Sequence, residues 1–280
     1  MPINLSATYH QKIFNKAKQQ SRPFSEILQY YANERFLFRL GRSAYRQKFI
    51  LNGAMEFFLA DVDAAQLPTE LAQTGKHTYS VASLVAIVKE ICALSVENDG
   101  LDFSPSTVQG FTLKEEEVAR GIRILFTCYL GSITTPMQLD FLFEGDQTSA
   151  VVDFQFPLIF DSLESASVRA LPFEIVTARK FRALLAPDGG TPHLKDFYDI
   201  WTLMHWQQMN YALLKEALSK ELAQVAIESP QQMPEVLSQD FARRQHEAWY
   251  SFVRKYQLKN APFDFSEVIR DLRLFYARLM

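Results

Sequence analysis

The sequence predicts an α+β fold whose C-terminal half is helical. Three observations carry this reading: helical apolar spacing from Ser6 to Leu40, β-rich runs between Val108 and Ile159, and helical patterns again from Phe173 onward. With 280 residues and 48% hydrophobic content the chain buries a sizeable core. It divides into an α+β domain with N-terminal helices over residues 1–165 and a helical domain over 166–280.

The first helical stretch breaks at Ser21-Arg22-Pro23, where Ser21 is expected to cap and Pro23 to open a second helix. Phe24, Ile27, Leu28, Tyr31, Phe36 and Leu40 form the apolar stripe of that helix. Lys48 to Leu51 reads as a short strand, Asn52-Gly53 as a tight turn, and Glu56 to Leu59 as part of a following helix. A strand, a glycine and a helix in that order form a natural anion cradle. Glycine turns also follow strands for purely steric reasons.

Asp61 to Thr78 reads as turn-rich, and a helix resumes over Val81 to Val96. Asn98-Asp99-Gly100 marks a turn. Strands are expected at Val108 to Leu113, Ile122 to Leu130, Met137 to Phe143 and Phe154 to Ile159. Helices are expected over Phe173 to Lys180, Lys195 to Trp206, Tyr211 to Ala226, Phe241 to Tyr256 and Phe265 to Leu279.

Composition removes several classes of function. The balance of 29 Lys+Arg against 32 Asp+Glu gives a net charge of -3, so no global positive field marks a nucleic-acid binder. Cys92 and Cys128 lie in apolar contexts, as reduced core residues do, which points to a cytoplasmic protein. No apolar run suits a signal peptide or a membrane span, so no membrane partner is expected. The five histidines lack zinc-site spacing, and GxSxG, P-loop and GxGxxG patterns are missing.

Two stretches carry charge where charge is costly. In Met137-Gln138-Leu139-Asp140-Phe141, period two sets Asp140 beside Gln138 and Leu142, opposite Met137, Leu139, Phe141 and Phe143. Asp140 therefore either lies on a solvated sheet face or is paired or binds a cation. In His193-Leu194-Lys195-Asp196-Phe197-Tyr198-Asp199-Ile200-Trp201, Asp196 and Asp199 share a helix face while Phe197, Ile200 and Trp201 turn to a core. Such a helix start is either a solvated charge cluster favoured by the macrodipole or the wall of a cleft. Phe241 to Trp249 mixes basic and aromatic groups, which suits an ordinary amphipathic helix or an RNA surface.

Taken in order, these stretches resemble the AbiEii/AbiGii toxin family of type IV toxin–antitoxin systems. The segment Phe38 to Ala54 looks like the family's approach to its glycine motif, and Lys89 to Cys92, Asp99 to Phe103 and Met137 to Asp140 resemble its middle. Glu174 to Lys180 and Leu194 to Asp199 resemble its later elements, with the fifteen-residue step from Lys180 to Lys195 kept. The resemblance implies a nucleotidyltransferase-like mixed sheet flanked by helices. It also implies a phage-defence toxin that binds a nucleoside triphosphate with magnesium and transfers nucleotides to RNA such as tRNA, with a cognate antitoxin as partner.

Residue by residue, the resemblance assigns Asn52 and Gly53 with Lys180 and Lys195 to the phosphates. It assigns Glu70 and Asp140 to the metal, and Lys195, Asp196 and Asp199 to catalysis, with Asp196 orienting or deprotonating the attacking hydroxyl. The resemblance implies that Lys195 and Asp196 lie in a cleft. Departures fall on the metal side: the family's acid pair aligns with Glu70-Leu71-Ala72, preceded by Thr69. Asn52 stands where a lysine is expected and His193 where an arginine is. Asp61-Val62-Asp63 offers a displaced pair nearby. Alanine ligates no metal, so the alternative is a catalytically degenerate member that binds a nucleotide, an RNA or a protein.

Overall fold

A computed structural model of the protein describes residues 5–51, 70–73, 79–96, 99–115, 118–142, 151–186, 191–206, 208–225, 233–258 and 260–280; residues 70–73, 114–115, 118–120 and 206 are described by backbone alone. The described residues form two compact units, one through Ala170 and one from Leu171 onward.

In the first unit α1 (Leu5–Gln20) and α2 (Phe24–Arg42) follow the predicted helical spacing. Ser21 has φ 55° and the Arg22 N–H donates to the Ala17 carbonyl at 3.0 Å, so Ser21 closes α1 in the left-handed turn common at helix ends. It does not cap α2, because Pro23 itself takes the N-cap position without a side-chain bond and Ser21 stands too early. The next elements are β1 (Phe49–Leu51), β2 (Glu70–Gln73) and α3 (Val81–Cys92), which the Ser80 side chain caps by accepting from the Ser83 N–H. Then come β3 (Leu101–Glu115), β4 (Val118–Leu130), β5 (Ile133–Leu142), β6 (Val152–Gln155) and β7 (Ser167–Ala170).

Among the described residues seven strands form one sheet in the order β3-β4-β5-β2-β1-β7-β6, with β5 and β2 parallel and β4 and β5 antiparallel. Two of these strands escape the sequence pattern. The segment at 70–73, expected as turn, and β7 span four residues each, too few to display an alternation. The α3 helix ends at Cys92 rather than Val96, and β6 stops at Gln155. The helix expected after Gly53 lies outside the described residues.

The inner face of the sheet carries Ile122, Ile124, Phe126 and Cys128 from β4 with Met137, Leu139 and Phe141 from β5, all buried. Phe36 of α2 packs its ring on Phe126 and Phe103. The two cysteines are buried and unbridged. Asp99 is buried between two arginines of α2, accepting from Arg39 at 2.6 Å and from Arg35 at 3.3 Å. The Asp99-Gly100 turn is thereby an anchor of α2 to the start of β3.

The second unit contains α4 (Phe173–Leu185), α5 (Leu194–Trp206), α6 (Tyr211–Gln224), α7 (Gln239–Lys255) and α8 (Phe265–Leu279). Asn210, Ser238 and Asp264 cap α6, α7 and α8 with side-chain oxygens that accept backbone N–H bonds. The core is aromatic: Trp249 stacks on Phe265 at 4.7 Å, and Phe197 meets Phe265 at 5.2 Å and Phe241 at 5.6 Å. Among the described residues no helix is long and apolar enough to cross a membrane.

Candidate functional site

The acid of the sheet is placed by two strand pairings. The β4–β5 hairpin turns at Gly131-Ser132, where Gly131 takes φ 61°, and from there the register sets Arg123 directly opposite Asp140. On the other side β2 runs parallel to β5 with Glu70 beside Asp140 and Ala72 beside Leu142. Leu51, the last described residue of β1, pairs with Leu71, so β1 ends at this centre. Asn52 and Gly53 lie outside the described residues, as does Asp61-Val62-Asp63, and of Glu70 the backbone alone is described.

Asp140 is 7% exposed, and both of its carboxylate oxygens accept hydrogen bonds. Arg123 grips it as a two-pronged fork, with Nε donating to Oδ1 at 2.7 Å and Nη2 to Oδ2 at 2.8 Å. Gln138 Nε2 donates to Oδ2 at 3.2 Å. The hydrogen bond to Asp140 raises the Arg123 pKa above its already high ordinary value. Of the two readings open to Asp140, the paired one holds, because a carboxylate this covered needs a partner. Gly121, two residues before Arg123, lets β4 approach β5: a Cβ there would stand 2.4 Å from the Phe141 carbonyl oxygen.

In the helical unit four predicted residues meet. Lys180 on α4 reaches across to α5, placing Nζ 2.6 Å from Asp199 Oδ2 and 3.2 Å from Asp196 Oδ1. Lys195 donates to the same Asp199 oxygen at 2.6 Å, one helical turn away. Burial disfavours the Lys180 ammonium, yet Asp199 and Asp196 outweigh it and hold the pKa above the ordinary lysine value. Lys180 is therefore a fixed cation rather than a base. The side chains of Asp196 and Lys195 are the more open members, 17% and 28% exposed, against 3% for Asp199. Phe197, Ile200 and Trp201 point to the core as the spacing requires.

Magnesium does not fit the described residues of the sheet's centre. Both Asp140 oxygens are bound by Arg123 and Gln138, Ala72 supplies no ligand atom, and among the described residues no group of three His, Cys, Asp or Glu stands ready for a metal ion. Arg123 is the functional candidate that the sequence reading missed. Its signal was present in Gly121-Ile122-Arg123-Ile124-Leu125, an arginine in the middle of an apolar strand.

The chain matches the model of the nucleotidyl transferase AbiEii toxin family of type IV toxin–antitoxin systems over residues 35–270, and it belongs to that family. Among solved structures it is similar to JHP933 from Helicobacter pylori, with 13% identity and a TM-score of 0.47 over 89% of this chain and 91% of that one. It is also similar to a protein described as a candidate nucleotidyltransferase from H. pylori, with 13% identity and a TM-score of 0.48 over 90% and 93% of the two chains. No curated protein matches the chain.

Proposed function

We propose that this family member binds a nucleoside triphosphate and that its metal-driven nucleotidyl transfer is degenerate. The observation that carries the reading is the Arg123 fork on Asp140, beside a strand where Ala72 replaces the second acid of the family pattern. Where charge stabilisation is the largest catalytic term, replacing one carboxylate and engaging another removes most of the means of holding magnesium. Lys195, the more open of the two lysines, remains as the phosphate-side cation of this reading, with Lys180 beneath it holding Asp196 and Asp199 in place, and the neighbouring gene is expected to encode the antitoxin. Calorimetry with ATP and GTP tests it: saturable binding is expected, and none to either nucleotide would end the reading.

One observation favours the fuller activity. Glu70 and Asp140 are neighbours in register, as two acids sharing a metal would be. In that reading they hold magnesium, Asn52 and Gly53 with Lys180 and Lys195 meet the triphosphate, and Asp196, with Lys195 and Asp199 beside it, orients or deprotonates a hydroxyl of tRNA or another RNA. Labelled nucleoside triphosphates with magnesium and tRNA decide between the two. Transfer above that of Asp140→Ala would make the transferase reading the operating one.

A further inference from the structure

We infer that Arg123 is the resident cation of the sheet's acid centre, taking the place of a divalent ion on Asp140 and receiving nucleotide phosphate without magnesium. The inference rests on the nucleotide-binding reading above, and its metal half stands on geometry alone.

The fork is built by the fold. Arg123 and Asp140 are cross-strand partners in a hairpin whose turn fixes the register, so the pairing is set by the backbone before any side chain chooses a rotamer. Two fork bonds and the Gln138 bond occupy three of the roughly four acceptor sites of a carboxylate. A metal ion at Asp140 would have to evict a bidentate guanidinium, the side chain best matched to a carboxylate.

Charge arithmetic points the same way. With alanine at position 72 the centre holds one carboxylate fewer than the family pattern, and the Arg123 guanidinium already balances Asp140, so the need for a divalent cation falls. Exposure then decides which partner an incoming ligand meets. The Asp140 side chain is 11% exposed and that of Arg123 is 38% exposed, so the acid is hidden beneath its cation. The fork engages Nε and one Nη2 proton of a group with five N–H donors. Among the described residues the outward edge of the guanidinium keeps donors suited to a phosphate oxygen, with half-exposed Leu125 beside it on the same face.

The test has two arms on the full chain. In the first, ATP and GTP are each titrated by calorimetry in EDTA and again in magnesium. Affinities agreeing within about threefold are expected, with a loss of about tenfold or more in Arg123→Gln in EDTA, where no ion can take the arginine's place. Weakening of the wild type by about tenfold in EDTA, or full binding by Arg123→Gln in EDTA, overturns the inference. In the second arm manganese alone is titrated by electron paramagnetic resonance. The expected result is no bound ion that depends on Asp140 in the wild type, and a gained ion in Arg123→Gln that is lost when Asp140→Asn is added. A wild-type manganese site abolished by Asp140→Asn overturns the metal half even if no nucleotide binds. Absence of nucleotide binding in every condition overturns the phosphate half together with the proposed function, and leaves the manganese arm to judge Arg123. Should Arg123→Gln not fold, Arg123→Lys keeps the charge and loses the fork. It is expected to bind nucleotide more weakly than the wild type in EDTA, and wild-type affinity there would overturn the role of the fork.

Discussion

The acid at the centre of the sheet and the acids of the helical unit are held in opposite ways. At the sheet's centre the acid is covered and the cation is open, with Asp140 lying under an Arg123 side chain that is 38% exposed. In the helical unit both partners are covered, the Asp199 side chain at 3% and that of Lys180 at 14%. An open cation over a hidden acid can take a ligand without breaking its own pair. A covered pair linking α4 to α5 has little to offer a ligand and much to contribute to the fold. Lys180 and Asp199 thus read as a staple, leaving Lys195 and Asp196 at its rim as the members that a ligand can reach.

The largest effect is expected from breaking that staple. Asp199→Ala removes the oxygen shared by two ammonium groups and leaves Lys180 covered without its shorter carboxylate contact. Losing one partner of a buried pair costs about 3–5 kcal/mol, measured as a shift in the urea midpoint. A cost below about 1 kcal/mol, the range of exposed pairs, would erase the contrast between the units.

A second covered network, in the α+β unit, gives a pH test of the same idea. Glu34 on α2 is fully buried; Oε2 accepts the Ile159 N–H at 2.7 Å and Oε1 has no hydrogen-bond partner. Burial pushes its carboxyl up to about 7, against the opposing effects of Ile159 and Arg35 and with a small addition from Asp99. Because the folded value lies above the unfolded one, the unfolded chain loses its proton first as pH rises. The contribution is present below about pH 4.5 and is lost as pH climbs to about 7, on the order of 3 kcal/mol across the window. Glu34→Gln should flatten that part of the stability curve. Parallel curves for variant and wild type between pH 4.5 and 7 would show that Glu34 ionises normally.

How legible each network was depends on the distance its register had to travel. The face shared by Asp196 and Asp199 follows from helix periodicity within one segment, and Phe265 to Leu279 matches α8 residue for residue. Arg123 was legible in principle: a two-residue turn at Gly131-Ser132, counted back along both strands, pairs it with Asp140. Asp99 was not, since its partner Arg39 is 60 residues away and no local pattern links them. Glu70 fell in a strand of four residues whose existence depends on pairing with both β1 and β5, a tertiary fact rather than a local one.

A smaller effect separates Arg123 from the staple residues. Arg123→Ala leaves Asp140 covered but still bonded to Gln138, so it is expected to cost about 1–3 kcal/mol, less than Asp199→Ala. If thermal denaturation ranks the two the other way, the sheet's pair is the staple and the helical cluster the more open site.

The smallest effect is expected on α7, where the sequence offered a mixed basic and aromatic stretch. Phe241, Ala242 and Trp249 turn inward to the core, while Arg243 pairs with Asp240 and Arg244 with Glu235 on the surface. The Arg244 guanidinium lies 5.8 Å from the centre of the Phe241 ring, while Trp249 is stacked on Phe265, so the rings are packed inward and a base cannot stack on Trp249. Arg243→Glu with Arg244→Glu should change stability by no more than about 0.5 kcal/mol and leave RNA mobility shifts unchanged. Loss of an RNA shift with folding intact would move the acceptor surface to α7 and make an exposed, paired arginine a better guide to function than the open cation over Asp140.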